Sequence, residues 1–294
     1  MSILPTRNRR CAATPIAMLA AVLLAGCSMN LGSLSGSPAP VADDPDNPQS
    51  ASPANIASLS EVIQRSPNDA QAFNMRGTAL GRAGRNQEAL ADFERAIAID
   101  GNYAQAYANR GQVHRQTNKL DAALADYNKA IALDANYAAA YLGRGQVHRA
   151  QGRSLDALND YNRAIQMNPS NGQAYYNRGL LYQAQGQHKF AVDDFGTAVG
   201  LLQGQAEPYV ARGLSQMALG DTKAAAADLD EAVQADPGSL TAWTSRGLAY
   251  ERLGDKEKAA GSYAKALNIR KEHDPAKKGF ARVGGKTGTV YQPF

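Results

Sequence analysis

The chain is 294 residues long, 44% hydrophobic and 20% charged, with 31 Lys and Arg against 27 Asp and Glu, a balance that excludes disorder over most of its length and supplies apolar surface for one large domain or an extended array. The formal net charge is +4, but Arg7, Arg9 and Arg10 stand in a stretch that reads as a removable leader, and without them 28 basic residues face 27 acidic ones. A near-neutral body argues against a nucleic-acid partner.

The leader comes first. A basic start (TRNRR) precedes an apolar run from Cys11 to Ala25, too short for a comfortable transmembrane span and of signal-peptide proportions. It ends in LAGC, Leu24 to Cys27, which resembles the bacterial lipobox. The resemblance implies cleavage after residue 26 and a covalent lipid on Cys27, the only cofactor-like group expected. Ser28 follows where an aspartate would imply inner-membrane retention, so the expected location is the outer membrane, lipid-anchored and facing the periplasm of a Gram-negative bacterium. Buried methylenes contribute about 0.8 kcal/mol each, so several acyl chains make a durable anchor. Cys11 leaves with the leader, and no disulfide, cysteine–metal site or cysteine nucleophile is expected in what remains.

Residues 27–52 are rich in Ser, Gly, Pro, Ala and Asp (GSLSGSPAPVADDPDNPQSAS) and read as a flexible tether. About 25 residues give a typical span of roughly 25–30 Å and a stretched reach of roughly 80–90 Å. Residues 53–69, with Leu59, Val62 and Ile63 in phase, read as a single capping helix.

A period follows. Arg-Gly recurs at 76–77, 110–111, 144–145, 178–179, 212–213 and 246–247, always 34 residues apart. Counting units from Ala70, position 4 is aromatic (Phe73, Tyr107, Tyr141, Tyr175, Tyr209, Trp243), position 8 is Gly, and positions 20 and 27 are Ala throughout. Position 24 is Phe93, Tyr127, Tyr161, Phe195, Leu229 and Tyr263. The pattern resembles the tetratricopeptide repeat (TPR) across residues 70–273, in six units: 70–103, 104–137, 138–171, 172–205, 206–239 and 240–273. The resemblance implies an all-α superhelical solenoid of helix-turn-helix units, with small residues at 8 and 20 for close helix approach and large ones at 4 and 24 filling the space between units. Residues 274–294 read as a basic, Gly-rich tail whose first part caps the last repeat.

Position 7 is arginine in every unit, where the family prefers leucine, and position 23, sixteen residues on, is Asp in five units. The expected pairs are Arg76 with Asp92, Arg110 with Asp126, Arg144 with Asp160, Arg178 with Asp194 and Arg212 with Asp228, structural bridges between the helices of one repeat or between neighbours; Arg246 faces Ser262 instead. The rival reading is a ligand ladder for phosphate or carboxylate groups.

By the resemblance, first-helix positions 2, 5, 6, 9, 12 and 13 build a concave groove. They supply a polar, basic stretch (Asn109, Gln112, Arg115, Gln146, Arg149, Asn177) and then an apolar one (Leu180, Leu214, Met217, Leu248). A peptide with an acidic and a hydrophobic part would complement it. Position 5 reads Asn74, Ala108, Leu142 and Tyr176, so the chaperone-type carboxylate clamp is not reproduced.

Catalysis and metal binding find no support. His114 and His148 take a position held by Tyr182 and Tyr250 in other units and read as packing residues, without the nearby carboxylates that acid-base or metal chemistry needs. The functional expectation is a membrane-anchored scaffold of the cell envelope with protein partners, similar to bacterial TPR lipoproteins of the new-lipoprotein-I and pilotin types. The alternative is a peptidoglycan- or glycan-binding lipoprotein.

Overall fold

The structure, a computed structural model, describes residues 48–286; the leader, Cys27, most of the tether and residues 287–294 lie outside them. The described residues are helical apart from short turns. A 3-10 turn at Pro48–Ala51 leads to α1 (Pro53–Arg65). Six helix pairs follow: α2 (Ala70–Arg82) with α3 (Asn86–Ile99), α4 (Ala104–Gln116) with α5 (Leu120–Leu133), α6 (Ala138–Ala150) with α7 (Ser154–Met167), α8 (Gly172–Ala184) with α9 (His188–Leu201), α10 (Ala206–Ala218) with α11 (Thr222–Ala235), and α12 (Leu240–Leu253) with α13 (Lys256–Ile269). The last element is α14 (Asp274–Arg282).

Each first helix ends at position 13, or 14 in the last repeat, and the backbone turns left-handed at position 15: Gly84, Gly152, Gly186, Gly220 and Gly254 have φ between +72° and +87°, and Asn118 takes the same role at φ 58°. Asn is the side chain that best tolerates this region. The turn is closed by paired back-bonds, in the first repeat Arg85 N–H to the Leu80 carbonyl and Gly84 N–H to that of Gly81. The next helix then starts two residues later, and the pair folds antiparallel.

Packing follows the period. The alanines at positions 20 and 27 are all fully buried. The position-24 side chain lies inside its own repeat, over the position-8 glycine: a Cβ on Gly145 would stand 2.7 Å from the Tyr161 ring, and one on Gly247 2.6 Å from that of Tyr263. Tyr127 and Tyr263 reach further, to Gly143 and Gly279 of the next first helix. The position-4 aromatics pack between units as expected, Phe73 with Ala106 and Tyr141 with Ala174 of the following repeat, and have a second role. Three of them bond the loop ahead of their own repeat, Tyr107 Oη to the Gly101 carbonyl (3.4 Å), Tyr141 Oη to that of Ala135 (3.2 Å) and Trp243 Nε1 to that of Pro237 (2.9 Å), and the ring faces of the series lie under the position-7 arginine at 5.5–5.9 Å.

First helices of successive repeats touch one another, whereas second helices touch only first helices. The second helices therefore fan apart, and the stack curves with α2, α4, α6, α8, α10 and α12 on its inner side.

The N-terminal end differs from a plain reading of composition, and the C-terminal end is capped as expected. Residues 48–52, expected as the end of the tether, are folded onto the body: Ser50 is buried, its carbonyl accepts from Asn55 Nδ2 (2.7 Å) and its hydroxyl from Arg82 (2.9 Å), while Ser52 caps α1. At the other end α14 takes the place of a seventh first helix, burying Ala276 and Gly279 and pairing Arg282 with Glu251 through two bonds of 2.7 and 2.9 Å.

Candidate functional site

The arginine series is internal architecture. In five repeats the position-7 guanidinium grips the position-23 carboxylate with two parallel bonds, for example Arg110 Nε to Asp126 Oδ2 at 2.9 Å and Nη2 to Oδ1 at 2.7 Å. Arg76–Asp92, Arg144–Asp160, Arg178–Asp194 and Arg212–Asp228 repeat the arrangement. The carboxylates hold each of these arginines above its ordinary pKa, the direct hydrogen bond being the main cause.

The remaining nitrogen reaches back one repeat, to position 25 of the preceding second helix. Arg76 donates to Ser60 (3.0 Å), Arg144 to Asn128 (2.8 Å) and Arg178 to Asn162 (2.7 Å). Each such side chain therefore ties three helices, which answers whether the bridge lies within or between repeats: it does both. Arg212 has only Gly196 at that place. The last repeat inverts the scheme, since Arg246, 4% exposed, bonds Asp230 of the repeat before it (2.6 Å) and Ser262 of its own (2.7 Å). Asp230 also lies sixteen residues from Arg246, but on the N-terminal side, where a search for the position-23 partner of the same repeat misses it. With their donors committed, these arginines make no ligand ladder.

The expectation that no carboxylate stands near the histidines is corrected. His114 Nε2 lies 3.8 Å from Asp126, and His148 Nε2 lies 3.6 Å from Asp160. Both carboxylates are already clasped by arginine, so they are not free to orient a general base, and desolvation pulls both imidazoles below their ordinary pKa despite them. A lowered folded-state pKa means that, as pH falls through about 6.5, the unfolded chain binds protons that the folded chain refuses, and stability drops. Above that pH the effect vanishes. Urea midpoints measured from pH 7.5 down to 5.5 should fall more steeply for the wild type than for His114→Gln/His148→Gln; parallel curves would exclude the histidines as the cause. Among the described residues no cluster of three His, Cys, Asp or Glu side chains could hold a metal.

The groove residues separate into two sets. Asn109, Gln112, Arg115 and Gln146 come together in an open cleft of about 590 Å³ between α4 and α6, walled by Tyr127, Leu142 and Gln173. Asn109 Nδ2 is spent on Asn74 (3.0 Å) and Thr78 (3.2 Å), which fixes the amide with its oxygen free to accept. A second cleft shares Asn109 and Gln112 and continues to Arg82 and Gln116. Arg149 is exposed one repeat beyond Arg115.

The remaining expectations need correction. Asn177 is buried, 5% exposed, and donates to the Gln173 carbonyl of its own helix (2.7 Å). Met217 is likewise 5% exposed, inside the C-terminal core. Leu180 packs with Tyr176 and Tyr182 against Phe195, and Leu214 and Leu248 lean on the core around Trp243. Half-buried leucines of this kind seal the stack between repeats, so the apolar stretch is not a free strip; Leu248 borders a cleft with Lys278 and Arg282. Position 12 shows the division most clearly. Gln183 bridges to Ser215 (2.8 Å) and the Ala211 carbonyl (3.1 Å), Met217 is core, and Glu251 serves Arg282 and Tyr263. Arg115 and Arg149 alone of this row keep a charge that no carboxylate among the described residues pairs.

Comparison with known proteins agrees with the geometry. Family models for the TPR repeat match residues 80–117, 111–152 and 145–186, and two tetratricopeptide-repeat models match 172–201 and 210–275. No curated protein sequence matches. Among solved structures, the Cut9–Hcn1 hetero-tetramer of the APC/C superposes with a TM-score of 0.68 at 18% identity over 82% of this chain, which spans 50% of that protein's length. Pseudomonas aeruginosa PilF gives 0.67 at 18% identity, covering 74% of this chain and 99% of that one. YrrB, described as a TPR protein with an unusual peptide-binding site, gives 0.54 at 28% identity, covering 63% and 96%. With its 34-residue period, its fanned helix pairs and these matches across residues 80–201 and 210–275, the chain belongs to the tetratricopeptide-repeat family.

Proposed function

We propose that the chain is a lipid-anchored scaffold of the bacterial cell envelope that holds a partner polypeptide in the inner groove of its second to fourth repeats. The observation that carries this is the division of the groove: Arg115 and Arg149 have no carboxylate partner among the described residues and Gln112 and Gln146 line an open cleft, whereas their counterparts further along are used up in the stack. A row of such donors on a rigid inner surface suits a polypeptide chain. The likeness to YrrB, whose description names a peptide-binding site, supports the same use. The anchor rests on the leader and LAGC, and no described helix is long and apolar enough to cross a membrane.

A glycan partner fits less well. The tyrosines of the groove floor, Tyr127 and Tyr161, are 3% and 0% exposed and offer no ring face for a sugar to stack on.

Photo-crosslinking residues placed at Gln112 and at Gln146 in cells should capture a protein, and the same residue at Asn162 on a second helix should not. Capture equal at all three, or at none, removes the groove reading. Separately, Cys27→Ala should move the protein from the membrane to the soluble fraction; if it stays with the membrane, the anchor is not this cysteine.

A further inference from the structure

Resting on that groove reading, we infer that Arg115 and Arg149 form a two-cation seat for the side-chain carboxylate of an Asp or Glu inside an extended partner peptide. The two arginines hold the same position on neighbouring first helices, thirty-four residues apart. Neither has a carboxylate partner among the described residues, although every position-7 arginine a few residues away does. Like charges on adjacent helices without a counter-ion repel, and an incoming anion relieves that repulsion.

One orphaned polar atom belongs to the pair itself: Arg115 Nε is buried without a hydrogen-bond partner. The polar neighbours that act on the two guanidiniums from the protein side are neutral hydroxyls, Tyr127 at Arg115 and the fully buried Tyr161 at Arg149, and Tyr161 also feels Arg115. Buried donors left unpaired are costly. A carboxylate set between the guanidiniums accepts from both; this planar acceptor matches the guanidinium fork.

The surroundings argue for an internal residue of an extended chain. The cleft at Arg115 and the one towards Gln116 share Asn109 and Gln112, so the groove runs on past the seat without an end wall that would favour a chain terminus. Gln112 and Gln146 repeat on neighbouring helices. Helices pack about 8–10 Å apart, which is about three residues of extended peptide, so each amide can meet a backbone group on either side of the acidic residue.

The test is display selection of random dodecapeptides on the full chain and on Arg115→Gln/Arg149→Gln. Thermal melting by circular dichroism first checks that the variant folds, as expected for side chains outside the bridge series. Peptides retained by the wild type should be enriched in Asp or Glu at one internal position, and the enrichment should vanish on the variant. The best peptide, resynthesised with Gln for its acidic residue, should bind about tenfold or more weakly, and Tyr161→Phe should weaken the acidic form while leaving the Gln form unchanged. Three results would overturn the seat: peptides without acidic enrichment that still compete at Gln112 and Gln146, a phosphoserine version that binds much more tightly than the Glu form, or a version with only a free C-terminal carboxylate that binds as well. The first of these leaves the groove reading standing. Retained peptides indifferent to Gln112→Ala/Gln146→Ala would remove the groove and the seat together.

Discussion

Asp126→Asn is expected to lower the free energy of unfolding by about 2–3 kcal/mol, read as a shift of the urea midpoint. The side chain is 7% exposed and receives both bonds from Arg110, itself 21% exposed. Removing the carboxylate charge leaves a guanidinium half out of water, with Asp126's grip gone and only Glu94 of the preceding second helix acting on it, from beyond ion-pair distance. Partial exposure of the arginine keeps the effect below that of a fully buried pair. Arg110→Leu alone should also destabilise, since it strands Asp126, with His114 still 3.8 Å away but pulled towards its neutral form. The double variant carries a leucine and an amide that need no counter-ion, so it should be more stable than the two single effects added together. If the singles add to within about 0.5 kcal/mol, the bridge between α4 and α5 contributes no coupling. Because each repeat is stabilised through its neighbours, the loss should also broaden the unfolding transition.

Gly143→Ala is expected to destabilise by about 2 kcal/mol, even though alanine favours helix over glycine by about 1 kcal/mol. The added Cβ would overlap the Tyr127 ring and stand 2.6 Å from its hydroxyl. Tyr127 is 3% exposed, held on its other side by Gly111, and cannot swing away. Tyr127→Leu in the same chain should recover much of the loss, because Leu229 fills the equivalent place in the fifth repeat with Ser245 opposite. A Gly143→Ala protein as stable as the wild type would show that the ring moves freely and that the close approach is not required. Gly84 makes a useful contrast. Its demand is the left-handed backbone, with nothing within 4 Å of an added Cβ, so replacement there strains the turn and not the packing.

How much of this was legible beforehand varies by residue. The period, the helix pairs and the fully buried alanines at positions 20 and 27 follow from local pattern, since a small apolar residue kept at one helical register marks a close helix contact. Arg110 with Asp126 is legible for a similar reason: both polar residues replace apolar ones at fixed spacing. Asn118 was not legible, because the other five repeats carry glycine at position 15 and nothing local marks this asparagine as taking the same left-handed turn. The pairing of Arg246 with Asp230 was hidden because its spacing runs backwards across a repeat boundary. Met217 and Asn177 were misplaced for a general reason, as a helix face assigned by position takes no account of how far the next repeat leans over it.

By itself, the sequence determined the repeat architecture, the helix ends and the intended ion pairs, because each depends on short-range spacing that the backbone geometry of a helix converts directly into a shared face. Only the tertiary structure decided which donors remain unspent. That depends on whether a neighbouring repeat happens to supply an acceptor, as Ser215 does for Gln183, or none, as at Arg115 and Arg149. Curvature and the lean of one repeat on the next set those meetings, and neither is written in the period.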